Sequence, residues 1–138
     1  MLSGCALRSW LRSAWDTRRC GLGYYTWFQP KDVPDDAPVM VHLHPGGEGQ
    51  EYADDEEIQQ ELAAAGLIGV FPEGCGDGIE DWNIGANVDG IERDDVAFLT
   101  QVAIDVQQRF VNNPLWLSGS SKGGGDGLRV RLLWSALV

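Results

Sequence analysis

Three short apolar runs, VMVHLH at 39–44, LIGVFP at 67–72 and PLWLSG at 114–119, are separated by two stretches of helical periodicity. Each run is too short to be a helix and is stopped by Pro or Gly. Each is also largely apolar on both alternating sets of positions, which is the mark of a strand buried on both faces. The first intervening stretch, DDEEIQQELAAAG at 54–66, opens with four acids at the positive end of a helix dipole and closes on Gly66, with Ile58, Leu62 and Ala65 on one face. The second is capped by Asp94 and runs through about Phe110, with Val96, Leu99, Val102, Ala103, Val106 and Phe110 recurring every three to four residues. Parallel strands need a crossover and a helix supplies it. The pattern therefore predicts an α/β fold: a mostly parallel sheet with helices on both faces.

The flanks read differently. YYTWFQP at 24–30 is aromatic and β-branched and ends at Pro30, which predicts an edge strand before the turn-forming KDVPDDAP. Between residues 24 and 126, Lys31, Arg93, Arg109 and Lys122 face twenty carboxylates, whereas residues 1–23 carry four arginines and one acid and residues 127–138 two arginines and none. Such an acidic body repels a phosphate backbone, so no nucleic-acid partner is expected. No run approaches the ~20 apolar residues of a membrane span. We therefore divide the chain into an extension at 1–22, a domain at 23–126 and an atypical tail at 127–138. Within the extension Leu7, Trp10, Leu11 and Ala14 have helical spacing, and two readings stand: a targeting segment, or an extension without fixed structure. Arginines interrupt what a secretory signal would need as its apolar stretch.

The chemistry centres on Gly119-Ser120-Ser121-Lys122-Gly123, a G-x-S-x-G sequence that begins as a strand run ends and opens a helix-like stretch. In a nucleophile elbow the central serine stands in a strained strand-to-helix turn, and its neighbours must be small because the two backbones crowd there. Ser121 is the candidate nucleophile, with Gly119 and Gly123 as the elbow's small residues. HLHPGG at 42–47 ends another strand in a Gly-rich turn that can aim N–H groups at an oxyanion. Pro45 has no N–H, so Gly46 or Gly47 must donate there, and the N–H of Lys122 is the second donor.

YYTWFQP, APVMVHLHPGG, LAAAGLIGVFPEG, DWNIG, RDDVAFL and LWLSGSSKGG occur in order over about residues 23–125. Together they resemble the polyhydroxybutyrate depolymerase and feruloyl esterase group of α/β-hydrolases. The resemblance implies a serine hydrolase of carboxylic esters, often secreted, that needs no cofactor. Its substrate would be a small ester, or an ester linked to a polyester or polysaccharide. It also implies that Trp82 lies near the active-site mouth. Two features depart from the family pattern: Pro45 stands where the family has Gly, and beyond Ser121 there is one acid, Asp126, and no histidine. The triad order in this fold is serine, acid, histidine. We therefore expect a chain truncated after its elbow, with impaired activity. A half sheet of this kind would leave an edge open to self-association. The alternatives are a non-catalytic binding module, and a peptidase or acyltransferase of the same fold.

Other signals are weaker. Cys5, Cys20 and Cys75 with His42 and His44 assemble no zinc spacing, so no metal is expected, and nothing favours a particular disulfide. His42 reads as a satisfied core residue and His44 as a prop for the adjacent turn, with alternation placing both on one face. EYADDEEIQQE lacks calcium-loop spacing and reads as a solvated helix start. Gly74, Gly76 and Gly78 do not complete a dinucleotide fingerprint, because Ile79 fills the slot of the third glycine. Asp95 reads as part of a helix cap rather than a catalytic acid.

Overall fold

The computed structural model describes residues 6–11, 23–45, 52–74, 82 and 95–120. Five strands, β1 (Ala6–Leu11), β2 (Gly23–Phe28), β3 (Val39–Leu43), β4 (Ile68–Pro72) and β5 (Leu115–Gly119), join two helices, α1 (Glu56–Ala65) and α2 (Asp95–Arg109). The sheet order is β1-β2-β4-β3-β5. β3 pairs in parallel with both β4 and β5, while β1 and β2 join antiparallel on the β4 side.

The topology follows from chain connectivity. β3 leads through α1 to β4 on one side, and β4 leads through α2 back past β3 to β5 on the other. Crossovers between parallel strands are right-handed, so connections running in opposite directions place their helices on opposite faces. Burial confirms it. Val39, Val41, Leu43, Ile68 and Val70 pack with Phe98, Leu99, Val102 and Val106 of α2. On the other face, Phe28 and Phe71 pack with Leu62 of α1, and Met40 lies against them. β3 and β4 are thus sandwiched as expected, whereas β5, outermost among the described strands, is half-exposed with Trp116 turned to solvent.

Local chemistry sets the helix ends. Asp55 is the N-cap of α1 and its carboxylate accepts from the N–H of Ile58 at 3.1 Å, with Glu56 and Glu57 in the first turn. Gly66 adopts φ 70°, the left-handed region, and closes the helix with its own N–H on Ala63 O while Leu67 N–H reaches Leu62 O. α2 is tied to β2 through the buried Tyr25, whose hydroxyl donates to the Asp105 carboxylate and accepts from Arg109 Nε at 3.0 Å. Asp95 is buried in the first turn of α2, where a carboxylate suits the dipole.

Two expectations at the amino-terminal side are corrected. Ala6–Leu11 is neither helical nor without fixed structure: it pairs with β2 along its full length, from Ala6 against Phe28 to Leu11 against Gly23. Six residues cannot distinguish helical from strand periodicity, and an open strand edge supplies a row of backbone partners that sequence periodicity does not register. β2 is consequently not an edge strand, since it lies between β1 and β4. Among the described strands the outermost are β1 and β5.

Candidate active site at the carboxyl edge of the sheet

The parallel strands start level, Val39 opposite both Ile68 and Leu115, and end level too, with Leu43 opposite Gly119. Three connections therefore leave the sheet at one edge: the turn after β3, the Gly-rich stretch after β4, and the elbow sequence after β5. β3 and β5 are adjacent, yet their chain connections diverge. That makes the gap above them a topological switch point, where open α/β sheets bind ligands. The backbone continues the pairing past the strand end, with Ser120 N–H donating to Leu43 O at 3.1 Å. Residues 44–45 and 120 thus lie side by side.

His44 organises this edge. Its Nδ1 meets Pro45 O at 2.7 Å, and its Nε2 receives the N–H of Gly74 at 2.9 Å. The Gly74 contact makes Nε2 the acceptor, so the proton sits on Nδ1 and donates to Pro45. The carboxylate of buried Glu73 stands 3.9 Å from Nε2. Trp82 completes the post: its Nε1–H donates to His44 O at 2.7 Å and its ring packs 4.9 Å from the imidazole. The loops after β3 and β4 are therefore clamped together through one side chain, as expected of a histidine that props a turn.

Trp82 thus lies at this edge beside the turn after β3, as a core residue: it is only 1% exposed and belongs to the cluster beside α2. The two histidines also part company. His42 faces the α1 side, with its Nδ1 2.8 Å from Ser118 Oγ, whereas His44 joins Trp82 of the opposite cluster. β3 ends at Leu43, and strand alternation ends with it. Gly119 terminates β5 and is exposed. Ser121, Lys122, Gly123, Gly46 and Gly47 lie outside the described residues, as do Asp94, Asp126 and the three cysteines.

Burial, reinforced by the proximity of His44, holds the His42 imidazole below its ordinary pKa of 6.5. The folded state then binds fewer protons at this ring than the unfolded chain does. Its contribution is fully present above about pH 6.5 and is lost as pH falls through the lowered folded value. We expect urea-unfolding stability to decline as pH falls below about 6.5, part of that decline coming from this one proton. The His42→Gln variant should show a shallower decline. Parallel pH profiles of the two proteins would refute the assignment.

A sheet ordered β1-β2-β4-β3-β5, with a switch point between β3 and β5 and helices on both faces, defines an α/β-hydrolase-type fold. No protein-family model matches the chain, and neither does any curated protein. Solved structures do. A variant of the esterase rPPE aligns with 97% of this chain and 40% of its own length at 13% identity and TM-score 0.61. A cold-adapted esterase from an Arctic intertidal metagenomic library aligns with 91% of this chain and 54% of its own at 17% identity and TM-score 0.62. Acetyl xylan esterase 1 from Thermoanaerobacterium sp. JW/SL YS485 aligns with 91% and 48% at 16% identity and TM-score 0.58. The chain thus spans roughly two fifths to one half of these proteins, and the likeness is one of fold.

Proposed function

We propose that the chain carries the nucleophile and oxyanion half of a serine esterase site, built on Ser121. The observation that carries this reading is the pairing of Leu43 with Gly119 and the Ser120 N–H bond to Leu43 O, which bring the ends of β3 and β5 together. An elbow one residue beyond Ser120 and a Gly-Gly turn one residue beyond Pro45 then emerge from adjacent strands. The esterase structures that share the fold support the same reading, as does the sequence resemblance to feruloyl esterases and polyhydroxybutyrate depolymerases.

In this mechanism Ser121 Oγ attacks the ester carbonyl. The oxyanion is held by the N–H of Lys122 and that of Gly46 or Gly47, the alcohol leaves, and water releases the acyl group. Each proton transfer needs a base, and the 138 residues tested by themselves hold no histidine beyond Ser121. A nucleophile assayed without its triad partners is slower on the order of 10⁴- to 10⁶-fold. An activated ester with a good leaving group depends least on the base during acylation, while release by water still requires it. We therefore expect p-nitrophenyl acetate to leave a slowly formed, persistent acetyl adduct on Ser121, identified by tryptic mass spectrometry, with negligible turnover. Ser121→Ala should lack the adduct. Acetylation confined to lysines and the amino terminus, with Ser121 unmodified, would sink the proposal.

A further inference from the structure

On the face of the sheet covered by α1 lies a cavity of about 500 Å³ between α1 and β3. That volume falls within the range of small-molecule sites. Three rings converge on it. Tyr52 and Phe71 meet edge to face at 6.0 Å, and His42 lies 6.2 Å from Tyr52 and 6.5 Å from Phe71. Met40 and Leu62 supply aliphatic floor.

The polar rim is one-signed. Asp55, Glu57 and Glu61 line the opening, and no Lys or Arg is among the described lining residues. Glu57 and Glu61 stand one helical turn apart on the same flank of α1, an arrangement that costs a helix a few tenths of a kcal/mol unless a cation lies between them. His42 adds no opposing charge, since it is the neutral imidazole that burial favours. Among the described residues no group of carboxylates, histidines and cysteines gathers closely enough to hold a metal ion. Aromatic faces beneath a carboxylate rim instead suit an organic cation, which rings attract through their quadrupole and an apolar body fills.

We propose that this cavity binds a small organic monocation with an apolar body, of the aryl- or alkylammonium class. The proposal is argued from these lining residues alone and makes no use of the Ser121 chemistry.

The test uses three probes of one shape and different charge: phenethylammonium, 2-phenylethanol and phenylacetate, titrated into the 138-residue chain and followed at the Tyr52 and His42 ring resonances. Phenethylammonium should bind about tenfold tighter than the alcohol, and phenylacetate weakest of the three. Two double variants, both on exposed side chains, separate the site from the overall acidity of the protein. Glu57→Gln/Glu61→Gln should erase the gap between cation and alcohol. Asp32→Asn/Asp35→Asn, with the same change in net charge but away from the cavity lining, should leave it intact. Equal losses in the two variants, equal affinity for cation and alcohol, or no ring shifts at millimolar probe would each overturn the proposal.

Discussion

Trp82→Ala should be the most damaging single substitution among the described residues, lowering unfolding stability by about 3–5 kcal/mol. The indole is 1% exposed and packs in the cluster formed by Val41, Leu43, Phe98 and Leu99, so its removal leaves a large hole between β3 and α2. It also strips His44 O of the donor that holds it at 2.7 Å. A domain of this size has a total stability of only about 5–15 kcal/mol, so the variant should sit near the limit of cooperative folding. Trp82→Phe separates the two contributions. It keeps most of the apolar packing and loses the N–H, which predicts a smaller cost of about 1–3 kcal/mol for an unsatisfied buried carbonyl. Urea unfolding followed by circular dichroism should therefore order the proteins as wild type, Phe, then Ala. An Ala variant within 1 kcal/mol of wild type would mean that Trp82 is not part of the core.

The importance of Trp82 could not be read from its surroundings. It sits in GDGIEDWNIG, where no apolar periodicity marks one face for burial, so its place in the core depends on contacts distant in sequence. The parallel core was legible for the opposite reason. VMVHL, IGVFP and the stripe of α2 repeat their burial pattern locally, and each strand's apolar character matches a sheet covered on both faces. Helix ends were legible as well, because capping is chemistry within a few residues: Asp55 on Ile58, and Gly66 with Leu67 on the last turn. Pairing that depends on a free edge was not. Ala6–Leu11 becomes β1 because β2 offers it backbone partners, a fact recorded in neither segment alone. The same limit applies to the two histidines, which alternation joins on one face and the end of β3 separates. Of the candidate site, the sequence supplied the motif at 119–123 and the Gly-Gly turn. The contribution of the fold is that β3 and β5 are neighbours ending at the same level.

Gly69→Ala should destabilise the protein even though alanine is ordinarily the better strand residue. Gly69 sits inside β4, opposite Met40 on one side and Phe28 on the other. A Cβ there would stand 2.6 Å from Leu62 Cδ1 and 2.7 Å from Phe71 Cζ, closer than carbon atoms can approach. Both obstructing side chains are 3% exposed, so neither can swing into solvent. Replacing Gly also restricts the unfolded chain, which favours folding by about 0.4–1 kcal/mol. Overpacking costs about 1–3 kcal/mol and should prevail, for a net loss of about 1–2 kcal/mol. A double-mutant cycle identifies the cause. Leu62→Ala alone creates a void and should cost about 2–5 kcal/mol. In the Leu62→Ala background the clash with Leu62 is gone, and Phe71 has room to shift away from the new methyl at 69. The second substitution should then cost less than it does alone, giving a coupling of at least about 1 kcal/mol between the two sites. Simple additivity would show that α1 does not rest on β4 through this glycine. Loss of the α1 contact would also move Phe71, and with it one wall of the cavity beside His42 and Tyr52. The Gly69→Ala variant should therefore weaken phenethylammonium binding as well as folding, and the double variant, which also lacks the aliphatic floor that Leu62 provides, should bind no better.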